Sequence, residues 1–290
     1  MGLALKCGAS VLLGWLAVMG MTMPLVASVI GAPPQELEQV WRLGAQGRFD
    51  DAAAAMPANA SDEEAKFTRA VLLFNRQPRT GADIARAIER LSELTEHGTT
   101  AELRARSLYF WAGAETLRFR DAPPVAALHL YERLWRDYPG ETYGQRALAQ
   151  QLLLTFYTAE PRVRILARCA EIVRQAEAIT DRVVRSQFHQ VAARGYLQLG
   201  GEEALALEHL LKVGELGVSR REARGDLQVS IGQLATELGR PGLAREYYNE
   251  FLQEFPRDPR AYTIRARLAA ISAEEQSDSD GVIGGKRPTR

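Results

Sequence analysis

The stretch RGDLQVSIGQLATELGRPGLAREYYNEFLQEFPRDPRAY, Arg224 to Tyr262, constrains the fold more than any other part of the chain. It reads as two helices placed back to back, with a turn at Gly239-Arg240-Pro241-Gly242 and a stop at Pro256. Gly239 can take the left-handed conformation that ends the first helix. Pro256 cannot continue the second. Antiparallel helices joined by so short a turn pack roughly 8–10 Å apart, and the closer values demand small side chains where the axes cross. Gly232 and Ala244 supply them. A glycine inside a helix costs about 1 kcal/mol against alanine, so Gly232 needs a packing reason. Tyr248, Phe251 and Leu252 then offer area to bury against the next pair.

Earlier parts of the chain look like degenerate copies. LYERLWRDYPGETYGQRA, from Leu130, aligns with YYNEFLQEFPRDPRAYTIRA, from Tyr247. In both, an aromatic residue (Tyr131, Tyr248) stands eight positions before a proline, and a second (Tyr138, Phe255) directly precedes it. Gly47-Arg48-Phe49-Asp50-Asp51-Ala52 reads as the turn and second-helix start of a first copy, cut short at Pro57. A second copy opens at Ser61, as a capping residue followed by acids. It shows Phe67, Val71 and Phe74 on one face, a break at Gln77 to Gly81, then Ile84, Ala87, Ile88, Leu91 and Leu94 at helical spacing. A third pairs Leu103, Leu108, Trp111 and Leu117 with Ala127, Leu130, Tyr131 and Leu134 across Pro123-Pro124. Two fainter copies follow. One breaks at Pro161, with Leu148, Leu152 and Phe156 before it and Ile165, Ala167, Ile172 and Val173 after. The other turns at Gly200-Gly201, between Val184, Phe188, Val191 and Tyr196 and the residues Ala204, Leu207, Leu210 and Leu211. The small residues opening the second helices, Ala52, Ala87, Ala127, Ala167, Ala204 and Ala244, are spaced 35, 40, 40, 37 and 40 residues apart. The competing reading is an irregular all-α domain with ordinary alanine-rich helices.

The Gly232, Ala244, Tyr248, Phe251 and Pro256 pattern and the GRFDDA string resemble the tetratricopeptide repeat (TPR), a helix–turn–helix module of about 34 residues. The resemblance covers roughly residues 35 to 272. It implies an all-α chain, an α-solenoid of about six TPR-like helix pairs over 33–272, after an N-terminal segment 1–32 and before a tail, 273–290, that lacks any period. The aromatic-rich second helix with its closing proline is similar to repeats in envelope-assembly and cell-division coordinator proteins of Gram-negative bacteria. In that family the first helices line a concave groove that holds extended peptides or partner helices. The matching positions here are Tyr109, Thr116, Arg120, His189, Tyr196 and Gln233. The alternative for Tyr109 and Tyr196 is that they are core residues. The TPR subset that grips carboxylates needs recurring Lys and Asn in the groove, and these are absent.

Residues 1–32 carry one charge, Lys6, ahead of a long apolar run, then Pro24 and small residues. That order reads as a secretory signal. The run, at about 20 residues, also has the length of an uncut membrane anchor. Export to the bacterial envelope is the expectation, with membrane association through residues 8–32; the alternative is an inner-membrane adaptor whose repeats face the cytosol.

Lys+Arg and Asp+Glu number 36 each, so the chain lacks the basic excess of a dedicated nucleic-acid binder. Of the two cysteines, Cys7 lies in the apolar segment and Cys169 in a helical context where it acts as a small hydrophobe. No H-E-x-x-H, P-loop, G-x-S-x-G or C-x-x-C string occurs. His97, His129, His189 and His209 show no ligand spacing. Arg162, Arg164, Arg168 and Arg174, interleaved with Glu171 and Glu177, read as a solvated face, with an anionic-partner site as the sharper alternative. The expectation is a non-catalytic scaffold for protein partners, with no cofactor and no metal. An enzyme or sensor with a site in the groove is the further alternative.

Overall fold

The computed structural model describes residues 35–57, 62–118, 124–218 and 220–283, with side chains as far as 273. The expected signal or anchor at 1–32 and Arg120 lie outside the described residues. The fold is all-α. A 3-10 turn at Gln35–Leu37 leads into α1 (Glu38–Ala45), α2 (Phe49–Ala54), α3 (Glu63–Asn75), α4 (Gly81–His97), α5 (Ala101–Arg118), α6 (Val125–Asp137) and α7 (Thr142–Phe156). Then come α8 (Arg162–Gln175), α9 (Arg182–Leu199), α10 (Glu203–Leu216), α11 (Arg221–Glu237), α12 (Pro241–Glu254) and α13 (Ala261–Ile283). The chain forms two compact units, one ending at Arg174 and one beginning at Gln175.

Polar caps start several helices. Asp62 accepts from the Ala65 amide at 2.7 Å to open α3, so the cap is one residue past Ser61. Thr80 and Asp83 form a reciprocal capping box on α4. Asp181 accepts from the Val183 and Val184 amides to open α9. Gly239, at φ 65°, ends α11 while the Arg240 amide donates back to Ala235 O at 2.8 Å. At the other end of the chain, α13 runs to Ile283, well into the stretch 273–290 expected as tail. Glu274, Glu275 and Gln276 are good helix formers, and nothing there breaks the frame set by α13.

In the first unit α3 packs on α4, α5 on α4 and α6, and α7 on α6, while α5 also touches both α3 and α7. Helices α3, α5 and α7 therefore carry most of the interior of the unit. Twelve of the fifteen residues of α7 are buried, whereas α8 buries only Ile165, Cys169 and Ile172. Rings link the interior helices: Trp41 of α1 stacks on Phe67 of α3 at 6.4 Å, Phe67 meets Phe110 of α5 at 5.4 Å, and Phe110 meets Tyr143 of α7 at 6.2 Å. Phe110 is buried in this core, and the expected Trp111 packs against it. Trp111 is half-buried and donates its Nε1 to Glu115.

Four of the second helices share one buried triplet at i, i+4 and i+7. It is Ala87, Leu91 and Leu94 in α4, Ala127, Tyr131 and Leu134 in α6, Ile165, Cys169 and Ile172 in α8, and Ala244, Tyr248 and Phe251 in α12. Ala167 and Ala204, expected at two of the crossings, are exposed instead. In α8 the size order is inverted, with the small Cys169 at the second position; in α10 the buried small residue is Ala206.

In the second unit α9 packs on α10, α10 on α11, α11 on α12 and α12 on α13. Gly232 of α11 lies under the ring of Tyr248. A Cβ added there would sit 2.6 Å from Tyr248 Cδ1 and 2.9 Å from Cζ, closer than any real contact allows. That close approach is the packing reason for a glycine in mid-helix.

Candidate interaction surface

Of the five groove candidates among the described residues, one is exposed. Gln233 stands on the outer face of α11, in line with Ser230 and Glu237, and donates to Glu237 at 3.0 Å. Thr116 is half-buried, and its hydroxyl is turned back onto Gly113 O. Tyr109, His189 and Tyr196 are interior residues of their units. Tyr109 and Thr116 belong to the first unit, and His189, Tyr196 and Gln233 to the second.

Tyr109 sits among the rings of Phe110, Tyr131 and Tyr143, with centroids 5.3–5.8 Å away, and its hydroxyl accepts from Gln150. Burial raises the pKa of Tyr109, against the opposing Arg146 charge and Gln150 bond, and raises that of Tyr131 further. Burial also raises Tyr143, opposed by Arg106 and Arg146. All three phenols stay protonated at neutral pH, so none is a general base.

Next to them the first unit holds a buried charge. Arg106, 4% exposed, donates Nη2 to Glu64 of α3 and lies 4.2 Å above the Phe67 ring. A guanidinium removed from water needs both contacts: a carboxylate for its charge and an aromatic face for its plane. This pair joins α3 to α5. Arg168 similarly ties α8 to Glu132 of α6 at 3.2 Å and to Glu160 at 3.1 Å. One member of the arginine run is therefore a structural tie.

The second unit brings together two histidines that spacing along the chain did not connect. The Nδ1 atoms of His189 and His209 are 2.8 Å apart, one donating and one accepting. They stand at comparable distances either side of the Gly200-Gly201 turn, so antiparallel pairing of α9 and α10 brings them together; that symmetry was the available signal. Tyr196 stacks on His209 at 5.6 Å and Phe188 meets His189 edge-on. Only one proton fits between the two nitrogens, so the two rings cannot both be charged in this arrangement. Burial lowers His189 to about 4, helped by Lys212 and Arg185 against Glu177. Burial, His189 and Lys212 lower His209 to about 3. Both folded pKa values lie below the unfolded one of about 6.5, so the unfolded chain binds more protons and stability falls as pH drops from about 6.5 towards 4. The expected loss between pH 7 and 5 is up to about 2 kcal/mol for each imidazole. Urea denaturation across that range checks it, and His189→Gln with His209→Gln should flatten the slope.

Cys169 is a free, buried thiol, which burial pushes up to about 12, so it packs rather than reacts. Among the described residues no three of His, Cys, Asp and Glu gather as a metal-binding group. No described helix is long and apolar enough to cross a membrane. No protein-family model matches the chain, and no curated protein is similar to it.

Proposed function

We propose that the chain is a non-catalytic interaction module of about six TPR-like helix pairs, exported to the bacterial envelope, that holds partner peptides or helices. The observation that carries the reading is the triplet buried at i, i+4 and i+7 in α4, α6, α8 and α12. Recurrence at that spacing is what stacked helix pairs require, because each pair buries its apolar face only against its neighbours. The ring contacts from Trp41 through Phe67 and Phe110 to Tyr143 support the same stacking. The burial of Tyr109, His189 and Tyr196 moves the proposed contact surface to exposed positions, of which Ser230, Gln233 and Glu237 form one stripe on α11.

A photoreactive amino acid at Gln233 should give a defined cross-linked partner in membranes. The same group at Gln253, exposed on α12, should not. Equal adducts at both positions, or none at Gln233, would remove α11 as the contact surface. For export, a reporter active only outside the cytosol should be active when fused after Arg290. Activity of a cytosol-only reporter at that position would contradict it.

A further inference from the structure

The end of α12 carries two phenylalanines, Phe251 and Phe255, whose rings stack at 5.4 Å. Each has an arginine near its face: Arg260 lies 5.1 Å from the Phe251 centroid and Arg221 lies 5.2 Å from that of Phe255. The two arginines differ in what they hold. Arg260 donates from Nε and Nη2 to the two oxygens of Asp258, at 2.9 Å each, and from Nη1 to Asp226 at 2.7 Å. This two-pronged grip is the strongest hydrogen-bonding mode of a guanidinium. The Arg260 side chain, with its own amide, holds the Asp258 carboxyl down at about 2. Arg221, by contrast, donates Nη2 to the main-chain carbonyl of Glu254 at 2.9 Å and makes no ion pair among the described residues.

Arg221 and Phe255 line a cavity of about 430 Å³, together with Pro256 and Arg257. Arg257 is exposed and likewise makes no ion pair among the described residues. Three carboxylates border the space, but two are already neutralised. Glu254 accepts from Arg224 at 2.8 Å, and Asp258 is held by Arg260. Only Glu222 is left against two uncompensated guanidinium groups. The volume exceeds what a bare oxyanion fills and falls in the range of small-ligand pockets, about 300–1,000 Å³. Its phenylalanine and proline walls suit an apolar body.

We propose that this cavity binds a carboxylate carried on an apolar body, the carboxylate on Arg221 and Arg257 and the body against Phe255 and Pro256. Arg221 then completes with a ligand the grip that Arg260 completes with Asp258. The ligand chemistry is common to small organic acids and to the last residue of a polypeptide. The proposal stands apart from the interaction-module reading and survives its failure.

The test titrates the full chain with N-acetylphenylalanine and with its amide, followed by calorimetry. The acid should bind at one site per chain, and the amide about tenfold or more weakly, the scale of a lost charge-assisted hydrogen bond. Arg221→Gln and Arg257→Gln should each weaken the acid several-fold, while Arg164→Gln, an exposed position on α8, should not. Both cavity positions are exposed, so the variants should fold, and melting curves check this. A tripeptide ending in phenylalanine that binds more tightly than 3-phenylpropionate assigns the site to chain ends. Equal binding of the two assigns it to small acids. Equal binding of acid and amide, unchanged affinity in both cavity variants, or no saturable binding overturns the proposal.

Discussion

A Tyr248→Ala variant is expected to lose about 3–5 kcal/mol of the stability of the second unit, the cost of deleting a buried aromatic side chain. Tyr248 is fully buried, and its ring fills the space above Gly232 where α12 crosses α11. Its hydroxyl also accepts from Arg267 Nη1 at 3.2 Å, which ties α13 to α12. Truncation therefore opens a cavity at one helix contact and releases a second. Tyr248→Phe keeps the ring and should lose only the hydrogen bond, about 0.5–1.5 kcal/mol. Gln253→Ala, on the exposed face of the same helix, should stay within about 0.5 kcal/mol of wild type. Denaturant midpoints rank the three, and a Tyr248→Ala loss no larger than that of Gln253→Ala would mean that the ring is not at the crossing.

The second large effect belongs to the first unit. Glu64→Ala leaves Arg106, with a side chain 5% exposed, without its carboxylate. Removing one member of a fully buried pair costs about 3–5 kcal/mol. The Glu64 side chain is 35% exposed, so water reaches the site and lowers the expected loss to about 2–3 kcal/mol. Adding Arg106→Met to that variant should recover much of it, because the stranded charge is gone and the methionine still packs on Phe67. If Glu64→Ala and the double variant melt together near wild type, the ion pair contributes nothing.

Much of the fold was legible because local chemistry and packing agree. Pro57, Pro124, Pro161 and Pro241 bracket helix boundaries, and Gly47, Gly200 and Gly239 take the positive φ that helix ends need. The aligned Tyr131 and Tyr248 are both fully buried. The fainter copies were harder to read because the buried spacing, not the residue type or size at each position, is what recurs. In α8 the small member of the triplet is Cys169, so following alanines leads to the exposed Ala167.

Less of the candidate surface was legible. Assigning groove positions assumes that a first helix keeps one open face. Helices α5, α7 and α9 are instead covered round most of their circumference, and polar residues such as Gln150, Arg106 and His189 go inside with partners. Helix α11 does leave such a face open, at Gln233. Partners of this kind lie 41, 42 and 20 residues apart in the chain, beyond the reach of helical periodicity.

In a chain of helix pairs that cross closely at a small residue, Gly232 is a crossing with no room for a Cβ. The direct measurement is a double-mutant cycle between Gly232→Ala and Tyr248→Ala, read as unfolding free energies. In the wild-type background Gly232→Ala should cost about 1–3 kcal/mol, because the added methyl meets the Tyr248 ring. In the Tyr248→Ala background the methyl enters vacated space, and the change should become neutral or stabilising by up to about 1 kcal/mol, the helix propensity of alanine over glycine. The two effects should thus differ by more than about 1 kcal/mol, as expected for side chains in contact. If Gly232→Ala stabilises both backgrounds equally, α11 and α12 do not cross at Gly232, and the helix-pair reading of the chain is contradicted.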